Sequence, residues 1–164
     1  WIDLDAGMLT IPSASMKRTV AQKLNGRPHF VPLAPQAVEI LHEIQPLTGQ
    51  RTFVFPSTRG EGRPMSDMTI NAALRRLGYS GNEMTAHGFR AMARTLIVER
   101  LPGIHPDVIE AQLAHGKSGP LGAAYDRAEF MEQRRTMMRT WADYLDKLKA
   151  GADVIPFKSV RQRG

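Results

Sequence analysis

Thr85-Ala-His-Gly-Phe-Arg90, then Ala111-Gln-Leu-Ala-His-Gly116, then Ala123-Ala-Tyr-Asp-Arg-Ala-Glu-Phe130 is the stretch on which the rest of the chain hangs. In order it supplies His87, Arg90, His115 and Tyr125. The spacing His-x-x-Arg sets two hydrogen-bonding or cationic side chains one turn apart on a single helix face. A second His follows near a helix end, and a Tyr comes ten residues later among small residues. Each is a group that phosphoryl transfer can use as a charge clamp, proton carrier or nucleophile. Taken singly, each also has a plainer role: a packed Tyr, a helix-surface salt bridge, a structural His. The order of the four, not any one of them, carries the signal.

Working outward, the residues before this stretch divide in two. W-I-D-L, M-L-T-I and H-F-V-P-L predict short strands, with Gly7 at the first turn, forming a small antiparallel sheet over residues 1–33. The second connection, Ser13–Gly26, is basic and rich in Ser, Thr, Asn and Gly, which predicts an exposed loop. From Pro35 the pattern turns helical. Val38, Leu41 and Ile44 make one stripe that is expected to stop at Pro46. Residues 46–65 predict a loop with a brief extended Phe53-Val-Phe55. Ser66 is the expected cap of a helix carrying Ile70, Leu74 and Leu77, closed by Gly78.

Thr85 is expected to cap the next helix, with Phe89, Leu96 and Ile97 inward. Pro106 opens another whose apolar face is Val108, Ile109 and Leu113. A long amphipathic helix follows over Glu129–Ala150, with Phe130, Met137, Met138, Trp141, Leu145 and Leu148 on one face. The fold class is therefore mainly α with a small antiparallel sheet near the N-terminus. Residues 1–150 read as one domain and 151–164 as a tail.

Composition narrows the chemistry. With 164 residues the chain can bury a core. It holds no Cys, which removes disulfides and thiolates and suits a reducing cytoplasm. No apolar run approaches the ~20 residues that span a membrane. Net charge is +6, and no acid lies between Asp5 and Glu39, a gap that contains Lys17, Arg18, Lys23 and Arg27. A basic gap of this kind favours a polyanionic partner. The acids are scattered rather than clustered, which speaks against a metal-dependent nuclease. A helix-turn-helix regulator would account for the charge but not for the ordered His, Arg, His and Tyr.

The motifs T-A-H-G-F-R-A-M-A-R-T (85–95), I-E-A-Q-L-A-H-G-K (109–117) and A-A-Y-D-R-A (123–128) resemble the tyrosine recombinases, most closely the phage-type integrases of prophages and genomic islands. I-P-S-A-S-M-K (11–17), R-P-H-F-V-P-L (27–33) and R-R-T-M-M-R-T-W-A-D-Y-L-D (134–146) extend the resemblance over about residues 1–148. It implies the DNA breaking-rejoining catalytic fold and site-specific recombination through a 3′-phosphotyrosyl intermediate, without metal or other cofactor. Tyr125 is then the nucleophile and Arg90 the phosphate clamp. His87 is a proton-transfer partner or phosphate ligand, and His115 a second phosphate donor. Lys17 matches the family's general acid, with Lys23 in the same connection as a substitute. Arg18, Lys23, Arg27 and Lys117 read as DNA contacts. Arg94, one turn beyond Arg90, reads as a plain surface ion pair.

The implied partners are double-stranded DNA at attachment sites and other copies of the chain, as a homotetramer on synapsed DNA and a monomer in isolation. A host DNA-bending protein and an excisionase are the accessory partners. The segment after Tyr125 either packs on its own domain or passes to a neighbouring protomer. Two other functions stay open: a DNA-binding remnant that no longer cuts, and a type IB topoisomerase-like relaxer acting alone.

One departure has a consequence. The family places a first catalytic Arg upstream of the sheet, and the chain opens on Trp1 without Met, which reads as a fragment of a longer protein. Losing one of two clamps costs about 3–4 kcal/mol of transition-state stabilisation, on the scale of an oxyanion donor. The isolated 164 residues are therefore expected to cleave DNA weakly or not at all. Cleavage at full-length rates would contradict this.

Overall fold

The computed structural model describes residues 1–17, 20–60, 62–114 and 130–151. Strand β1 (Ile2–Asp3) pairs antiparallel with β2 (Met8–Ile11), and β2 pairs antiparallel with β3 (His29–Pro32). The order is β1-β2-β3, with Ile2 opposite Leu9 and Thr10 opposite Phe30. Gly7 turns the chain between β1 and β2 at φ +58°, a left-handed conformation that glycine adopts without a steric cost. The Asp3 carboxylate accepts from the Ala6 amide at 2.8 Å and closes the same turn. The expected sheet is present.

The connection Ser13–Gly26 departs from the expected loop. It contains a 3₁₀ turn at Ser13–Ser15 and a helix α1 at Val20–Asn25. Val20 and Leu24 on α1 are exposed, so the helix has no apolar stripe held against a core, which is the signal that periodicity detects.

Helix α2 spans Pro35–Thr48 with Pro35 at its first turn, as expected, but it runs on through Pro46. In the last turn a proline forfeits a single backbone bond and its fixed φ is already helical. The Gly49 amide then closes on the Gln45 carbonyl at 2.7 Å. Residues 53–55 form no strand, and 54–55 are bends. The hairpin here is an isolated bridge between Pro56 and Pro64, with the Met65 amide on the Phe55 carbonyl at 2.8 Å.

Helix α3 (Met68–Arg76) starts two residues after Ser66, whose hydroxyl accepts from the Met68 amide at 3.3 Å. Leu74 is buried, whereas Ile70 and Leu77 are exposed, so the expected stripe is only partly used. Gly78 ends this segment at φ +94°. Helices α4 (Gly88–Arg100), α5 (Pro106–Gln112) and α6 (Met131–Lys149) complete the described elements.

The core lies among these last three helices. Ile97 and Leu101 of α4 and its end, Val108 and Ile109 of α5, and Met137 and Trp141 of α6 form one buried cluster. Trp141 also stacks on Tyr144, centroids 5.7 Å apart. Phe89 departs from expectation, at 44% exposed, and Leu145 and Leu148 lie beyond the buried part of α6. Helix α2 is tied to α6 by the Gln36 amide, which donates to Asp143 and Asp146 at 2.9 Å each.

Met137 is 1% exposed, so Met137→Ala is expected to cost about 2–5 kcal/mol of unfolding free energy, measured in denaturant. A loss below about 1 kcal/mol would mean that the three helices are not packed around it.

Candidate active site

Thr85 sets the entry to α4. Its hydroxyl accepts from the Gly88 amide at 3.0 Å and caps the turn leading into the helix. His87 is the last residue of that turn and is exposed. Arg90 follows on the first turn of α4, also exposed. Its guanidinium donates to the Leu113 carbonyl, one of the orphan acceptors at the end of α5. Arg94 pairs with Glu110 at 2.7 Å, the plain surface role expected of it. With both partners partly exposed, such a pair contributes about 0–1 kcal/mol.

A cavity of about 660 Å³ lies between the sheet and the α4–α6 core. Ile11 and His29 come to it from the sheet, Lys17 from the connection after β2, and Arg90 from α4. Met137 and Trp141 form part of its apolar side. Two expected site residues, Lys17 and Arg90, thus share one cavity although 73 positions apart in sequence, 90 − 17. Leu113 and Ala114 line it as well, and His115 is the next residue of the chain.

Lys23 and Arg27 are exposed and do not line the cavity, and neither does His87. Tyr125, His115, Lys117 and Arg18 lie outside the described residues. Of the remaining histidines, His29 donates from Nε2 to the Gln112 carbonyl at 3.2 Å. His105 Nδ1 accepts from the Asp107 amide at 3.2 Å and caps α5. The Glu83 carboxyl lies below the usual range because the Ser80 amide and hydroxyl donate to it. It sits in the exposed turn before Thr85 and takes no part in the cavity.

Sequence reasoning missed Arg134. It is 3% exposed, with Nε on the Gln112 side-chain oxygen at 2.8 Å and Nη2 on the Phe30 carbonyl. A signal was present. Arg134 stands three residues before Met137 and seven before Trp141, on the apolar stripe of α6, where a cation is buried only with partners.

Among the described residues no helix is long and apolar enough to cross a membrane. Residues 1–132 match the model of the phage integrase family. The chain is 42% identical over 154 residues to prophage integrase IntA of Escherichia coli strain K12, covering 94% of this chain and 35% of that protein. It is 40% identical over 151 residues to prophage integrase IntZ of the same strain, covering 92% and 35%. With the integrase of Enterobacteria phage P4 it shares 40% over 121 residues, covering 72% and 27%. The chain spans about a quarter to a third of the length of these relatives. No solved structure matches it.

Proposed function

The chain belongs to the phage integrase family, and its architecture fits the tyrosine recombinase fold; from this premise we propose that it carries the transesterification chemistry of site-specific DNA recombination. The observation that carries the proposal beyond family membership is the meeting of Lys17 and Arg90 at one cavity, whose wall also includes Leu113 and Ala114. A phosphodiester held there would have a guanidinium on its non-bridging oxygens and an ammonium near a bridging one.

The step balances without cofactor. The Tyr125 hydroxyl gives up its proton to a base, for which His87 is the candidate, and its oxygen attacks phosphorus. The bond from phosphorus to the 5′-oxygen breaks, and that oxygen takes a proton from Lys17. A 3′-phosphotyrosyl link and a free 5′-hydroxyl result. Attack by the 5′-hydroxyl of another strand reverses the step, and the phenol leaves. Negative charge grows on the non-bridging oxygens during both halves, where Arg90 and His115 are the fixed donors, with His87 as a proton carrier or further ligand. An Arg suits this because its planar fork donates two parallel bonds to adjacent oxygens.

Substrate binding rests on backbone charge. Arg18, Lys23, Arg27 and Lys117 contact phosphates, which positions the protein without reading sequence. Residues 1–150 form the catalytic unit and 151–164 a tail. The substrate is attachment-site duplex from a prophage or genomic island. Strand exchange takes place in a homotetramer assembled on synapsed DNA, assisted by a host DNA-bending protein and an excisionase.

Lys17 gives a direct test of the cavity assignment. Lys17→Ala is expected to slow cleavage by about 10²–10⁴-fold, the range of a general acid. Replacing the bridging 5′-oxygen by sulfur should restore the rate, because a thiolate, with an unperturbed pKa near 8.5 for Cys, leaves without a proton. Equal slowing on both substrates would make Lys17 a backbone contact and leave the general acid elsewhere.

A further inference from the structure

Three side chains from three different elements converge on the two residues that close α5. His29, on β3, donates to the Gln112 carbonyl. Arg90, on α4, donates to the Leu113 carbonyl. Arg134, on α6, donates to the Gln112 side chain and, through its other arm, to the Phe30 carbonyl on the strand that ends the sheet. The carbonyl end of a helix leaves acceptors unpaired within its own backbone, and cationic donors there also complement its dipole. A guanidinium buried to 3% exposure needs hydrogen-bonding partners, so losing its bonds is costly and Arg134 ties together the groups it touches.

We propose that Arg134 is a positioning residue for the reaction: it pins the end of α5 to the edge of the sheet, keeping Arg90 and the chain that enters His115 in register with the cavity that Lys17 lines. The inference rests on the transesterification reading, and extends it to a residue that need not touch DNA. Arg134 acts through Gln112, the neighbour of the very carbonyl that anchors Arg90. Without it, Gln112 and Phe30 lose a buried donor, and the end of α5 can shift against the sheet. A displacement of about 1 Å at a reacting group costs on the order of a hundredfold in rate.

The test uses the full-length protein and a nicked duplex carrying the attachment site. Arg134→Met keeps an unbranched, somewhat shorter apolar stem and removes the donors. Arg134→Lys keeps the charge and one donor, and stands in if the Met variant does not fold. Three quantities are measured: DNA affinity, the single-turnover rate of covalent adduct formation, and melting temperature, each also with Gln112→Leu alone and combined.

Arg134→Met is expected to slow adduct formation by about a hundredfold with DNA affinity unchanged. Lys should recover part of the loss, and Gln112→Leu should add little on top of Arg134→Met, because the two share one interaction. Wild-type rates in the Arg134 variants, or rate and DNA affinity falling together, would overturn the proposal. Should the wild type itself form no adduct, the transesterification reading fails separately. The positioning role, which rests on that reading, falls with it, and non-additive melting losses for the Arg134 and Gln112 substitutions then show only the structural contact between the two.

Discussion

Tyr125→Phe is expected to abolish covalent attachment to DNA while leaving binding intact. The substitution removes one oxygen and keeps the ring, so packing and surface charge are preserved. If that oxygen is the nucleophile, the loss is on the order of 10⁶-fold, the scale seen when an enzyme loses its attacking group. The chain has three Tyr, and the other two sit elsewhere: Tyr79 follows Gly78, and Tyr144 stacks on Trp141 in α6. Tyr79→Phe and Tyr144→Phe should therefore retain attachment. An electrophoretic assay on denaturing gels reads all three variants side by side. Attachment that survives Tyr125→Phe would remove the residue from the chemistry.

Arg90→Ala is expected to give the second largest effect, a fall in cleavage of about 10²–10³-fold, as for removal of an oxyanion donor. Ground-state affinity should change little, since the proposed backbone contacts of Lys23, Arg27 and the other basic residues remain and charge on the phosphate grows mainly in the transition state. Arg90→Lys should not restore the rate, because an ammonium cannot supply two parallel bonds to one phosphate. The structure adds a second reason. Arg90 is anchored on the Leu113 carbonyl at the end of α5, a geometry that a shorter-reaching point charge does not reproduce. Single-turnover rates against saturation binding separate these effects. A Lys variant as fast as the wild type would mean that charge alone matters at this position.

Much of this was legible in the residues. Local rules sufficed where the determinant is local. Gly7 marks the turn between β1 and β2, Pro35 and Pro106 open helices, and Gly78 ends α3 at a positive φ. The alternation and stripes that place Ile97, Val108, Ile109, Met137 and Trp141 in one core are periodic signals, and the structure buries those residues together.

The misses are of another kind. Helix α1 lies where composition favours a loop, and its Val20 and Leu24 are exposed, so no buried stripe announces it. Phe89, Ile70 and Leu77 sit on helix positions that look inward when a helix is considered alone. Which face is covered depends on neighbours brought from far along the chain.

The same limit applies to the site. Lys17 and Arg90 were named by resemblance, but only the fold puts both on one cavity. Arg134 and Gln112 come from different helices, and Phe30 from the sheet, so their network has no sequence pattern of its own. What the sequence did hold was an arginine on an otherwise apolar stripe, a mismatch that periodicity registers as a break rather than as a partner.

The central claim is that Tyr125 of this chain forms a covalent bond to DNA phosphorus. The most direct measurement incubates the full-length protein with a nicked attachment-site half-duplex, isolates the adduct and maps the modified peptide by mass spectrometry. The account predicts a nucleotide 3′-phosphate on Tyr125 and a free 5′-hydroxyl on the released strand. No adduct, with salt-sensitive DNA binding retained, or a link through Tyr79 or Tyr144, would contradict it.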